Sequence, residues 1–275
     1  MPTRVIILTS NHLRHDFFRK ALALDDRLEV LYSICEEKAP LPNSGPSPHT
    51  TTRLQQHLDQ RSRSEDDFFR ALIDWAPDKS NPVHVPKNAL NDDASLQNSI
   101  SSDNPDVLIC YGTSIIRDPL LSTFQGRFLN LHLGLSPYYR GGGTNFWPIV
   151  NGEPEFIGVT FMHIDAGVDT GDVVHQLRAT IYPEDSPHSI GNRLIRDMVP
   201  VTAEVVTQLP HLERKKQSDM NPLGRKERVY RRRDFTEAAV QKAYANVANG
   251  LFDDYLQSQR ERDTAAPIVS KGLQR

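Results

Sequence analysis

Two polar residues, Asn130 and His132 in the run Arg-Phe-Leu-Asn-Leu-His-Leu at 127–133, are the part of this chain best suited to chemistry. Side chains alternate across an extended strand. With Leu131 and Leu133 turned into one face, Asn130 and His132 project together from the other. An asparagine amide is a neutral donor of the kind that stabilises an oxyanion. A histidine, with a reference pKa of about 6.5, donates a proton when charged and relays one when neutral. The run stops at Gly134, and open α/β sheets bind ligands in the crevice beyond the carboxyl ends of their strands. A three-glycine loop follows at 138–143, with Thr144 placed to cap a helix through Phe146 and Ile149. Asp165 and Asp169 then punctuate Ile-Asp-Ala-Gly-Val-Asp-Thr-Gly. On spacing alone each piece also has an ordinary structural reading: a hydrogen-bonded strand histidine, a flexible turn, and turn aspartates that bond their own backbone.

Other chemistries find less support. Ser136 precedes Pro137 and lacks a G-x-S-x-G elbow. Cys35 and Cys110 sit in apolar runs with no C-x-x-C or histidine-rich spacing, so they read as buried free thiols and no metal is expected. A hydrophobic fraction of 38%, a charged fraction of 24% and a formal net charge of −3 describe an ordinary soluble protein with no overall field for nucleic acid. The apolar run near the amino terminus, Val-Ile-Ile-Leu, is too short for a signal peptide or a membrane span. A cytoplasmic protein is the expectation.

The elements needed to position these residues are those of an α/β domain. Residues 4–10 form a β-branched run, a helical face of Leu13, Phe17, Ala21 and Leu24 follows, and residues 28–37 read as a second strand. This β-α-β start predicts a parallel sheet with crossover helices. Its first turn, Thr-Ser-Asn-His-Leu-Arg-His, contains no glycine, which argues against a dinucleotide fingerprint. Residues 38–52, rich in Pro, Ser and Thr, read as a loop. Helical character returns over 54–76, a short strand over 82–86 and one capped helix over 89–104. Residues 105–112 are almost unbroken in apolar residues, as expected for a strand covered on both faces. A short helix at 118–124, two strands flanking the Gly-Val-Asp-Thr-Gly turn and a long helix at 187–209 complete the series.

In order, Asn-x-His, Ser-Pro-x-Tyr-Arg-Gly, a helix ending Asn-Gly-Glu, Gly-Val-Thr and Val-Asp-Thr-Gly resemble the 10-formyltetrahydrofolate-dependent formyltransferases. That family includes methionyl-tRNA, glycinamide ribonucleotide and sugar N-formyltransferases. The similarity is dense over about residues 105–185 and looser back to residue 1. It implies a Rossmann-like, mostly parallel twisted sheet, and a formyl group moved from a folate nitrogen to an amine. The family's catalytic Asn-His-Asp falls on Asn130, His132 and Asp169. The match runs through Asp-Thr-Gly, which favours Asp169 over Asp165. The resemblance further implies that Gly112, Thr113, Ser114 and Ile115 flank the formyl group and that Asp165, Ala166 and Gly167 face the pterin. Tyr139, Arg140 and Gly141 would meet the acceptor or the donor's tail. No metal is implied.

The acceptor is addressed by less of the sequence. Where many members read Ser-Leu-Leu-Pro after the histidine, this chain reads Leu-Gly-Leu-Ser-Pro, similar to sugar-modifying members. The residues after Pro222 are too few for the carboxy-terminal barrel of a tRNA formyltransferase, and read as a short strand, Arg-Val-Tyr-Arg-Arg, then two helices. Nine Lys or Arg lie between Arg214 and Arg233; such a run binds phosphates or is simply a solvated face. The resemblance therefore implies an amino sugar, nucleotide-linked, as acceptor, with formylation of methionyl-tRNA or another small amine as one alternative and an inactive binding protein as another. Nucleic acid and membrane partners are not expected, and a homodimer is. The divisions expected are a catalytic domain over 1–210, a strand-plus-helices subdomain over 211–260 and a flexible tail over 261–275.

Overall fold

The computed structural model describes residues 1–37 and 52–270. The loop expected over 38–52 therefore lies, apart from Thr52, outside the described residues, as do 271–275. The chain alternates strand and helix through β1 (Thr3–Ser10), α1 (Leu13–Leu22), β2 (Leu28–Glu36), α2 (Arg53–Trp75), β3 (Pro82–Val85), α3 (Ala89–Asp92), α4 (Ala94–Asp103), β4 (Val107–Tyr111), α5 (Leu120–Thr123) and β5 (Phe128–Leu133). There follow β6 (Tyr139–Gly141), α6 (Trp147–Asn151), β7 (Gly158–His163), β8 (Val173–Arg178), α7 (Pro187–Gln208), β9 (Arg228–Tyr230), α8 (Glu237–Ala248) and α9 (Leu251–Ala265).

Seven strands form one sheet in the order β3-β2-β1-β4-β5-β7-β8. The pairs from β3 to β5 are parallel, and β7 and β8 are added antiparallel. The mostly parallel α/β sheet expected from the sequence is what the chain forms. Its central strands are buried on both sides because both faces are covered: Ile7, Ile109 and Leu129 join one hydrophobic cluster with residues of α1, α2 and α7, while Leu8, Leu108 and Phe128 join a second with Leu90, Ile100 and Leu120. Alternation along each strand sends successive residues to these two layers.

Local signals explain where helices start. Ser186 caps α7 in a capping box with Ser189, ahead of Pro187 in the first turn. The single helix expected over 89–104 is two, because the Asp93 carboxylate accepts from Ser95 N and Leu96 N and so starts a new helix in the middle of the run. Thr144 does not cap α6: its hydroxyl donates to the Leu133 carbonyl, and the helix begins at Trp147.

The carboxy-terminal segment packs on the body of the protein. β9 pairs in parallel with β6 in a separate two-stranded sheet. Asn246 of α8 donates to the Ile149 and Val150 carbonyls at 2.8 and 3.1 Å. Arg262 of α9 meets Glu155 at 2.6 Å. The helix runs past residue 260, where a flexible tail was expected to begin. Ala266 and Val269 are buried, and Val269 exchanges hydrogen bonds with Gln176 of β8. Among the described residues, no helix is long and apolar enough to cross a membrane.

Candidate active site

Asn130 and His132 leave β5 on the same side, and the β7–β8 loop folds back over them. Asp165 and Asp169 divide the work in that loop. Asp165 accepts from Gly167 N at 3.0 Å and from Thr170 Oγ1 at 2.7 Å, which closes the turn. Asp169 sits at φ +53°, a left-handed conformation that aspartate tolerates better than most side chains. Gln217 anchors its carbonyl at 2.8 Å. The glycine of Asp-Thr-Gly has a steric cause: a Cβ at Gly171 would lie 1.8 Å from the His163 carbonyl oxygen.

The turn delivers the Asp169 carboxylate between the two strand residues. Oδ1 accepts from Asn130 Nδ2 at 3.3 Å, while Oδ2 lies 3.3 Å from His132 Nδ1 and accepts from Gly141 N at 2.9 Å. The other ring nitrogen, His132 Nε2, is 2.9 Å from the Tyr139 carbonyl oxygen. Both nitrogens thus face oxygen acceptors, and only a ring carrying two protons donates to both. An amide has two donor hydrogens; Asn130 uses one on Asp169 and is half-buried on the cleft wall.

The array forms one wall of a cleft of about 530 Å³. Gly112 to Ile115 and most of the 165–171 turn line it. Ser114 N donates to Glu36 Oε2 at 2.7 Å and the Ile115 carbonyl accepts from Asn91 at 2.8 Å, so this strand end is pinned. Ile115 and Val168 are 56% and 47% exposed here, two apolar side chains open to a flat ligand. The lining also includes Arg14, Arg61 and Glu65, where Arg14 Nη1 and Arg61 Nε both donate to Glu65 Oε1 at 2.8 Å. His57, His188, Phe146 and Phe235 belong to it too, with the His57 ring 4.6 Å from His188 and 5.4 Å from Phe146.

Most residues singled out in the sequence line this cleft, including Gly141, but three do not. Ala166 is exposed outside the lining. Tyr139, expected to touch a ligand, is fully buried with its hydroxyl on Glu153, and Arg140 turns to Glu227 at 3.5 Å. A strand places alternate side chains apart, so β6 offers the site its backbone instead. Cys35 and Cys110 are buried and free, and burial pushes the Cys110 thiol up to about 11. Among the described residues, no group of three or more His, Cys, Asp or Glu could hold a metal ion. Glu36, Gln217, Arg61, Glu65 and His57 had no motif to flag them.

Burial depresses several histidines. His57 falls to about 3, helped by the charges of His188 and Arg53, and His163, His175 and His188 each fall to about 4. Their folded pKa values lie below the unfolded value of about 6.5, so the unfolded chain binds more protons between the two. Stability is therefore fullest above about pH 6.5 and drops as pH falls towards 4, by up to about 1.4 kcal/mol per pH unit for each group. Thermal melts from pH 7.5 to 4.5 should show this loss, and His57→Gln should flatten it. A melting temperature level across that window would contradict the assignment.

A mostly parallel sheet with an amide, an imidazole and a carboxylate converging on a cleft has the parts that a group transfer needs. The chain belongs to the formyl transferase family, whose model matches residues 59–206, a little over half of its length. It is similar to the methionyl-tRNA formyltransferase of Solibacter usitatus, 37% identical over 127 residues covering 44% of this chain and 40% of that one. It is also similar to that of Caldanaerobacter subterraneus subsp. tengcongensis, 30% identical over 152 residues covering 54% and 48%. The chain thus spans less than half the length of these curated relatives. Among solved structures, a sugar N-formyltransferase from a Shewanella species shares the fold at a TM-score of 0.54, with 15% identity and coverage of 85% of this chain and 78% of that one. Phosphoribosylglycinamide formyltransferase from Anaplasma phagocytophilum does so at 0.53, with 14% identity and coverage of 76% and 87%.

Proposed function

We propose that the protein transfers the formyl group of 10-formyltetrahydrofolate to the amine of a nucleotide-linked amino sugar. The observation that carries this reading is the Asp169 carboxylate joined to both Asn130 and His132. When bound, the folate supplies an activated formyl carbon on its nitrogen. The pinned Gly112–Ile115 segment and the apolar pair Ile115 and Val168 fit a flat heteroaromatic ring, so the donor belongs against these residues. As an amine adds to the formyl carbon, charge grows on its oxygen, where the Asn130 amide hydrogen not used on Asp169 is one donor and His132 Nε2, turned from the Tyr139 carbonyl, is a second. Asp169 keeps the imidazole oriented, and through a water takes the proton that the amine loses. That proton passes on to the folate nitrogen as its bond to the formyl carbon breaks, and a formamide remains on the acceptor.

Charged and aromatic residues of the lining support a small anionic acceptor. Arg14 and Arg61 against the single Glu65 leave one net positive charge, and guanidinium groups suit phosphate oxygens. Beside them His57 and His188, neutral at physiological pH, and Phe146 and Phe235 present ring faces that suit a nucleobase. Arg61→Ala should raise KM for the acceptor about tenfold while kcat stays within about threefold; an unchanged KM would remove the phosphate from these residues. A second reading, formylation of methionyl-tRNA, draws on the curated relatives. Against it, part of the basic run is taken up internally, with Arg228 on Glu153 at 2.9 Å. The deciding experiment incubates the protein and 10-formyltetrahydrofolate with amino-sugar nucleotides and charged initiator tRNA, and reads the formyl mass shift. Product from tRNA alone overturns the acceptor. No product from any amine, with Asn130→Ala as control, leaves a binding protein.

A further inference from the structure

The carboxy-terminal strand β9 lies outside the stretch matched by the family model and outside the cleft lining, yet the catalytic array leans on it. His132 Nε2 meets the Tyr139 carbonyl and Asp169 Oδ2 meets Gly141 N, both at 2.9 Å. The two orienting contacts therefore come from the ends of the three-residue strand β6. Its register is set by β9, Tyr139 opposite Arg228 and Gly141 opposite Tyr230. Arg228 N donates to the Tyr138 carbonyl at 2.9 Å and Gly142 N to the Tyr230 carbonyl at 2.8 Å. The approach is close enough that a Cβ on Gly141, at φ +90°, would lie 2.1 Å from the Tyr230 oxygen.

Side chains lock this pairing from behind. The Tyr230 ring stacks on Trp147 at 4.1 Å and 7°. Trp147 Nε1 in turn donates to the Gly142 carbonyl at 2.8 Å. Asn151 Nδ2 donates to the hydroxyls of Tyr230 and Tyr139 at 2.9 and 3.0 Å. Arg228 pairs with Glu153, which also accepts from the Tyr139 hydroxyl. We propose that Tyr230 and Arg228 are positioning residues, which fix β6 and thereby hold His132 and Asp169 in register for the reaction. The proposal rests on the reading of His132 and Asp169 as reacting groups. Neither side chain lines the cleft, so any effect on chemistry passes through the β6 backbone.

The test compares Tyr230→Ala, Tyr230→Phe and Arg228→Gln with Val229→Thr, whose side chain is exposed on the same strand. Tyr230→Ala should lower kcat by about tenfold or more, because small misplacements of reacting groups are costly, while KM for the folate donor stays within about twofold. Its kcat–pH profile and the ¹⁵N signals of the His132 ring should shift, since the ring loses a fixed acceptor. Tyr230→Phe keeps the stack and should restore most of both, and Val229→Thr should match the parent. Arg228→Gln carries the test if the alanine variant does not fold, with the same shift in the ring signals expected. A folded Tyr230→Ala or Arg228→Gln protein with parental His132 signals and pH profile overturns the proposal. The ring signals are read without turnover, so inactivity of the parent on every amine, or full activity of His132→Ala, counts against the functional reading alone.

Discussion

His132→Ala is expected to lower kcat/KM by at least about a hundredfold, the usual range for loss of a positioned acid–base group. The imidazole bridges the Tyr139 carbonyl and the Asp169 carboxylate, so besides its proposed proton role it is the spacer between them. Alanine leaves the Tyr139 carbonyl without the imidazole donor, while Asp169 keeps Asn130 Nδ2 and Gly141 N. A loss of stability of about 1–3 kcal/mol accompanies the loss of rate, and a thermal melt must show that the variant is folded at the assay temperature. Asn130→Ala should cost about 3 kcal/mol of transition-state stabilisation, a similar factor. Because both donors serve one oxygen, the double variant should lose far less than the product of the two factors. Single-turnover formamide formation measures all three, and parental turnover in folded His132→Ala would sink the mechanism.

How much of this could be read in the sequence follows from how local each cause is. The covered central strand was legible because Val107–Tyr111 is continuously apolar, and alternation showed that Asn130 and His132 share a face, whereas Asp169 was reached only through the order of motifs that resembles the formyltransferases. The break at Asp93 was legible in principle: an aspartate before Ala-Ser-Leu is a cap, and it was outweighed by the helical run around it. The other residues depend on contacts between distant segments. Glu36 reaches Ser114 across 78 positions and Gln217 reaches Asp169 across 48, with no spacing that a sequence pattern repeats. The partner of β9 was hidden for the same reason. A three-residue strand contributes little by itself, and its place is set by the Trp147–Tyr230 stack and the Arg228–Glu153 pair.

Asp169→Asn separates charge from shape at the centre of the array. Asparagine is nearly the same size and accepts the left-handed conformation at φ +53° as readily as aspartate, so the turn and the Gln217 contact to its carbonyl should persist. What is lost is the negative charge beside His132 Nδ1 and, on the proposed mechanism, the acceptor for the proton leaving the amine. An amide oxygen can still accept from Gly141 N, so the contact to β6 persists. The rate should fall by about 10²–10⁴, the span of general acid–base contributions, with KM for donor and acceptor little changed. Asp165→Asn provides the contrast. That carboxylate is exposed and tied to Gly167 N and Thr170, so its variant should move donor KM severalfold and leave kcat near the parental value. If Asp165→Asn abolished kcat while Asp169→Asn retained it, the catalytic carboxylate would be the earlier one and the proton route drawn through Asp169 would be wrong.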